Sequence, residues 1–240
     1  FDAGYRFGQL GQDVIEKYDA REYAARTRYI PDCFIRLWKE HQRIPWASHP
    51  ETYALGLETG DQEFAGWPLM KRTHQGFFMG LPLPGRVDEA RRYVEACLQL
   101  GQETSGRYLQ ETLQAMLGLM GETDDPLVIT GAEFDEAVYL PRFVEASEAF
   151  GVCNHYVTKT LLAFLFRRPE LAKGYAEAIA PWAASMVSLV HVPVFHLYGG
   201  LCSLELVRRG QADDPAALLA EVDASIARLD VWQQHAPENF

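Results

Sequence analysis

Apolar residues recur at steps of three and four along most of this chain, and the stripes they form are interrupted at Gly and Pro. The clearest stretch runs from Tyr53 to Leu100. Ser48-x-x-Glu51, with Pro50 in the first turn, is a capping-box signature, so a helix is expected to open near Ser48. Tyr53, Ala54 and Leu57 share its apolar face, and Gly60 supplies a left-handed stop. Asp61 is placed to cap the next helix. There Phe64, Trp67, Met70, His74, Phe77 and Phe78 follow at helical period. Pro68 inside that pattern predicts a kink or a late start. Gly80 and Pro82 break the chain again, and Val87, Ala90, Val94 and Cys97 form a third stripe closed by Gly101.

The remaining chain reads as weaker versions of the same unit. Phe1 to Gln42 suggests two helices, marked by Tyr5, Leu10 and Val14 and by Tyr23, Ile30, Phe34, Leu37 and Trp38, with Pro31 a site for a kink. Arg43 to Ala47 reads as a connector. Tyr108, Leu109, Thr112, Leu113, Met116, Leu117 and Met120 give a regular helix that stops at Gly121. Glu122 to Ile129 is an acidic loop with Asp125-Pro126 turn chemistry. Thr130-x-x-Glu133 is a second capping box, opening a helix towards Phe150. Gly151 restarts the pattern in a helix with apolar residues on more than one face. After Arg167-Arg168-Pro169, Ala172, Ala176 and Ala180 offer small residues for close helix approach. Pro193 begins a helix with Val194, Leu197, Tyr198, Leu201 and Leu204 inward, stopped by Gly210. Asp214-Pro215 caps the last helix, with Leu218, Val222, Ile226 and Leu229 on one face.

Sustained alternation is absent, so almost no strand is expected. Units starting near Gln62, Thr104, Val152 and Val194 recur at roughly 40 to 50 residues, a solenoid period. The fold expected is all-α, a superhelix of degenerate helical hairpins resembling tetratricopeptide repeats, in one repeat domain over residues 1–240.

The net charge of −11 argues against nucleic acid and anionic membrane as partners, because phosphates would be repelled. No apolar run approaches the roughly 20 residues of a membrane helix. Cys33, Cys97, Cys153 and Cys202 are far apart and fall within helical patterns, which reads as buried free thiols in a reducing cytoplasm. Paired metal-ligand spacing is missing, and no Walker loop, kinase loop, G-x-S-x-G or H-E-x-x-H occurs. No catalytic residue, metal ligand or cofactor is therefore assigned.

Two clusters stand out. His155 and Lys159 lie one turn apart on an otherwise apolar helix, and His196 falls on the helix one unit later. With Tyr156 and Tyr198 beside them, they are expected to line a concave groove that would take a small anionic effector or a partner. A Lys159 paired to the Asp135-Glu136 turn would instead mark the group as structural. That turn, in Phe134-Asp135-Glu136, reads as an acidic first turn favouring the helix dipole, with a cation or basic partner as the alternative.

The order Gly60-Asp61-x-Glu63-Phe64-Ala65, Gly80-x-Pro82-Leu83, Phe134-Asp135-Glu136, Lys159 with Leu165-Phe166, Phe195-x-x-Tyr198 and Ala236-Pro237-Glu238-Asn239-Phe240 resembles one family. It is similar to the helical repeat region that follows the ATPase module in large bacterial signalling proteins. Those chains carry a serine/threonine-kinase-like domain, the ATPase, this region, then GAF and histidine-kinase or other output modules. The resemblance covers nearly the whole chain. It implies a fragment of a longer multidomain chain and a cytoplasmic, non-catalytic regulatory module that couples the ATPase to output domains by protein contacts. The alternative is an effector-binding sensor. Self-association is expected through apolar surface near Phe1–Leu10 and Val231–Phe240. The sequence departs from the family at Pro68 and at Arg167-Arg168, where the family more often has Gly-Asp.

Overall fold

The structure is a computed structural model describing all 240 residues. It contains eleven α-helices, and its only bridge pairing is an isolated one between Thr130 and Asp135. None of the helices is long and apolar enough to cross a membrane. Where the repeat pattern suggests one continuous array, the contacts divide the chain into two compact units, residues 1–116 with 233–240 and residues 117–232.

The first unit holds α1 (Asp2–Tyr18), α2 (Ala24–Phe34), α3 (Arg43–Thr59), α4 (Glu63–Phe78), α5 (Leu83–Gln99) and most of α6 (Glu103–Leu119). Neighbours in sequence pack on each other from α1 through α5. At Gly56 a Cβ would lie 2.8 Å from the backbone nitrogen of Ala65, so α3 and α4 meet nearly main chain to main chain. The α5 stripe is buried as the spacing predicts, at Val87, Ala90, Val94 and Cys97. Gly60, Gly80, Gly101, Gly121 and Gly210, the expected stops, all lie at φ between 65° and 83°.

Helix α3 opens at Arg43 rather than at Ser48, so the expected connector is helical. Ser48 does not cap it. Its hydroxyl lies within hydrogen-bonding reach of the buried Asp32 carboxylate and of the Pro45 carbonyl, at 2.8 Å from the latter, and its one proton is shared between these acceptors rather than used at a cap. Asp61 is a weak cap, 3.5 Å from the Phe64 nitrogen, because its other oxygen is held by Arg26 at 2.8 Å.

The second unit is built around α8 (Ala149–Leu165), which packs against α7 (Glu136–Glu145), α9 (Ala172–Ile179) and α10 (His191–Arg208). It also takes α11 (Pro215–His235) as far as Trp232. Helix α8 is buried on several faces, from Gly151 to Ala163, as its pattern implies. The second capping box is not used. Asp135 caps α7 instead, accepting from the Ala137 nitrogen at 3.0 Å. That helix ends at Glu145, well before Phe150. In α9 only Ala172 and Ile179 are buried, so the alanine ladder is not a helix–helix seam. In α10 the buried face is His191, Pro193 and Cys202, whereas Leu197 and Leu204 are exposed. After α8, Arg167 takes the left-handed conformation at φ 59°, the conformation for which glycine is the usual choice.

Burial of two histidines in the first unit gives the fold a pH dependence. His49 on α3 and His74 on α4 are fully buried, and desolvation holds both near a pKa of about 3, against 6.5 when free. The unfolded chain therefore takes up protons that the folded chain refuses. Stability is complete above pH 6.5 and falls as the pH drops from 6.5 towards 3, with a limiting slope of about 2.7 kcal/mol per pH unit for two protons. Urea midpoints measured from pH 7 to pH 5, above the range of most carboxylates, should decline. A flat profile there would contradict the assignment.

Candidate functional site

The polar cluster foreseen on α8 exists, but it faces inward. Lys159 is 7% exposed. Its ammonium donates to both carboxylate oxygens of Glu136 at 3.0 Å and to the carbonyl of Leu127, which satisfies all three of its protons. Glu136 sits in the first turn of α7 and also accepts from the Ile129 nitrogen at 2.7 Å. His155, 1% exposed, places Nε2 3.8 Å from the same carboxylate. Beside them Tyr156 meets the His155 ring edge-on at 5.2 Å, and Tyr175 from α9 lies 5.8 Å from the Lys159 ammonium. Burial first, and the Glu136 charge second, raise the pKa of both tyrosines.

This arrangement corrects the groove reading of Lys159. The ammonium is not offered to a ligand anion, because it ties α8 to the loop before α7 and to the first turn of α7. The acidic turn is occupied in the same way. Glu136 is spent on Lys159, and Asp135 on the α7 cap.

His196 and Tyr198 look elsewhere. His196 Nδ1 is 3.0 Å from the Ser225 hydroxyl and its ring is 5.7 Å from Trp232, so it faces α11. Burial, and then Arg228, lower its pKa. Tyr198 packs against Phe164 of α8 at 5.5 Å. His155 and Lys159 thus address α7 while His196 addresses α11, and the five residues do not line one groove. The helical period placed each on its helix correctly. It gave no rotation of α10 about its axis, which is where the shared face was lost.

A second polar layer, in the first unit, was not anticipated from the pattern. Lys71, His74 and Gln75 of α4 are fully buried, as is His49 of α3. His49 Nε2 lies 2.9 Å from Gln75 Oε1, and His74 Nε2 lies 3.2 Å from the Tyr108 carbonyl of α6. The Lys71 ammonium has no hydrogen-bond partner. The second unit holds an analogous pair, His191 Nε2 to Asn154 Oδ1 at 2.9 Å. A signal was available for both layers: polar residues at steps of three and four on a core-facing stripe, as in Lys71, His74 and Gln75. Each histidine–amide pair fixes the relative position of two helices, and none brings a nucleophile to a base. No group of three or more His, Cys, Asp or Glu side chains is placed to hold a metal ion.

What the surface offers instead is apolar. Helix α1 buries no residue. It meets α2 through Gly8 and Gly11, where an added Cβ would be 3.2 Å from Pro31 and Thr27. Four of its bulky residues point away: Phe7 is 71% exposed, Leu10 52%, Val14 42% and Tyr18 69%, whereas Tyr5 and Ile15 are half-buried. An open apolar groove of about 420 Å³ lies alongside, lined by Phe7, Gly8, Thr27, Ile30 and Phe64 among others. Helix α11 buries only Val222 and exposes Leu219, Ile226 and Val231. The apolar surface expected at the chain ends is thus present at Phe1, Phe7, Leu10 and Val231, whereas Ala236 is buried and Phe240 stacks on Trp38 at 5.6 Å. Comparison with protein-family models, with characterised proteins and with solved structures finds no match.

Proposed function

We propose that this chain is a non-catalytic helical-repeat interaction module, a degenerate tetratricopeptide-like solenoid in type, that couples an ATPase to output domains in a bacterial multidomain signalling kinase. The observation that carries the reading is α1, a helix whose glycine face packs on α2 and which leaves four large apolar residues outward. A solvent-facing ridge of Phe7, Leu10, Val14 and Tyr18 is the kind of surface that marks a protein–protein contact. The packing of successive helices from α1 to α5 supports the hairpin-array reading, since each element of such an array rests on its neighbours. The motif order described above supports the signalling context. An effector-binding role draws less support, because Lys159, the cation it needed, is consumed by Glu136.

The test is to place charge on the ridge, with Phe7→Lys and Leu10→Lys together. Both sites are exposed, so the melting temperature should stay within a few degrees of the parent. Binding to the adjoining ATPase module, measured by calorimetry, should fall at least about tenfold, as for removal of anchor residues from an interface. Unchanged binding would move the contact off α1.

A further inference from the structure

The last residues of the chain are held against the first unit as a short peptide is held in a receptor. Ala236 to Asn239 form a turn, with the Asn239 nitrogen donating to the Ala236 carbonyl at 3.0 Å and Pro237 at its second position. Pro237 and Glu238 point outward, Ala236 is 3% exposed, and Asn239 and Phe240 face inward. The Asn239 amide donates to the carbonyls of Leu37 and Glu40, both at 2.7 Å, and its oxygen accepts from the Gln42 nitrogen at 2.9 Å. Two donors and an acceptor on one planar group belong only to Asn and Gln, and Gln is one methylene longer. An Asp in this place could not donate to either carbonyl. The Phe240 ring stacks on Trp38 at 5.6 Å and 16°.

The receptor side is fixed without help from the tail. Arg36 bridges Asp32 at 2.6 Å and Glu40 at 2.7 Å, one turn to either side. Tyr5 donates to Glu40 at 2.5 Å, and Trp38 Nε1 donates to the Phe34 carbonyl at 3.1 Å. The carbonyls of Leu37 and Glu40 are therefore held in place by contacts other than Asn239. Helix α11, which leads into the tail, buries only Val222, so the grip is concentrated in Ala236, Asn239 and Phe240.

We propose that residues 36–42 form a recognition site for a Pro-x-Asn-Phe turn, filled in cis by Ala236–Phe240, and that the turn is a separable ligand of this site. The receptor reads the Asn through main-chain groups and the aromatic ring through Trp38.

The test uses the full chain carrying Asn239→Ala with Phe240→Ala and a fluorescein-labelled, C-terminally amidated peptide of sequence Gln-His-Ala-Pro-Glu-Asn-Phe. Fluorescence anisotropy should show saturable binding to the variant. Binding to the parent chain should be at least about tenfold weaker, since its own tail competes at high effective concentration. A peptide with Asp in place of Asn should also lose at least about tenfold, as two hydrogen bonds are removed. No binding to a folded variant, equal binding to the parent, or equal binding of the Asp peptide would each overturn the proposal. If the double variant does not fold, Asn239→Ala alone is read by hydrogen exchange. The Gln42 amide should exchange faster than in the parent and regain protection with excess peptide, while amides in the middle of α3 stay unchanged. Unchanged Gln42 exchange, no rescue by peptide, or loss of folding on Asn239→Ala would overturn it, the last by making the tail structural rather than separable.

Discussion

Replacing Glu136 with Ala should destabilise the second unit by about 3–5 kcal/mol, the range found when one partner of a buried ion pair is removed. Lys159 would keep its place among the buried residues of α8 with only the Leu127 carbonyl to receive it. The Ile129 amide would lose its acceptor as well, so the loop leading into α7 should loosen. Urea denaturation followed by circular dichroism gives the loss directly. The double variant Glu136→Ala with Lys159→Met should recover most of it, because the unpaired charge is then gone and Met fills a similar length of the site. A single variant as stable as the parent would mean that the pair does not form in solution.

The second large effect runs the other way. Lys71→Met should raise the stability of the first unit by on the order of 1–3 kcal/mol, since it removes a fully buried ammonium that has no hydrogen-bond partner. Met retains an unbranched apolar stem in the same buried place. The neighbouring layer, His49 with Gln75 and His74 with the Tyr108 carbonyl, is left intact. Loss of stability in this variant would show that the Lys71 charge is held by a partner and belongs to a working site. The same substitution sharpens the acid sensitivity test. Lys71 is among the charges that lower the pKa values of His49 and His74, although burial is the larger cause for both.

Much of the fold is legible in the sequence wherever the signal is local. Glycine stops were read correctly at five positions because only a left-handed residue closes a helix that way, and the α5 stripe was read residue for residue. Both capping boxes misled. A Ser or Thr three residues before a Glu is necessary for the motif but not sufficient, and here Ser48 is drawn to Asp32 and Thr130 to the Asp135 carboxylate at 3.3 Å. The site was half legible. Helical spacing put His155 and Lys159 on one side of α8. Which way that side faces is set by tertiary packing against the first turn of α7, where Glu136 lies 23 residues before Lys159, and spacing left that pairing as an alternative to the groove. The same limit explains why Tyr175 went unseen and why α10 is rotated so that Leu197 and Leu204 face solvent.

The proposed function rests on α1, and hydroxyl-radical footprinting of that helix tests it most directly. Phe7, Leu10, Val14 and Tyr18 should react freely in the isolated chain, in keeping with their exposure. Under the proposed function, adding the ATPase module named there as the partner should protect all four, while exposed residues of α11 such as Ile226 keep their reactivity. Full reactivity of the α1 ridge in a complex shown to have formed would contradict the account.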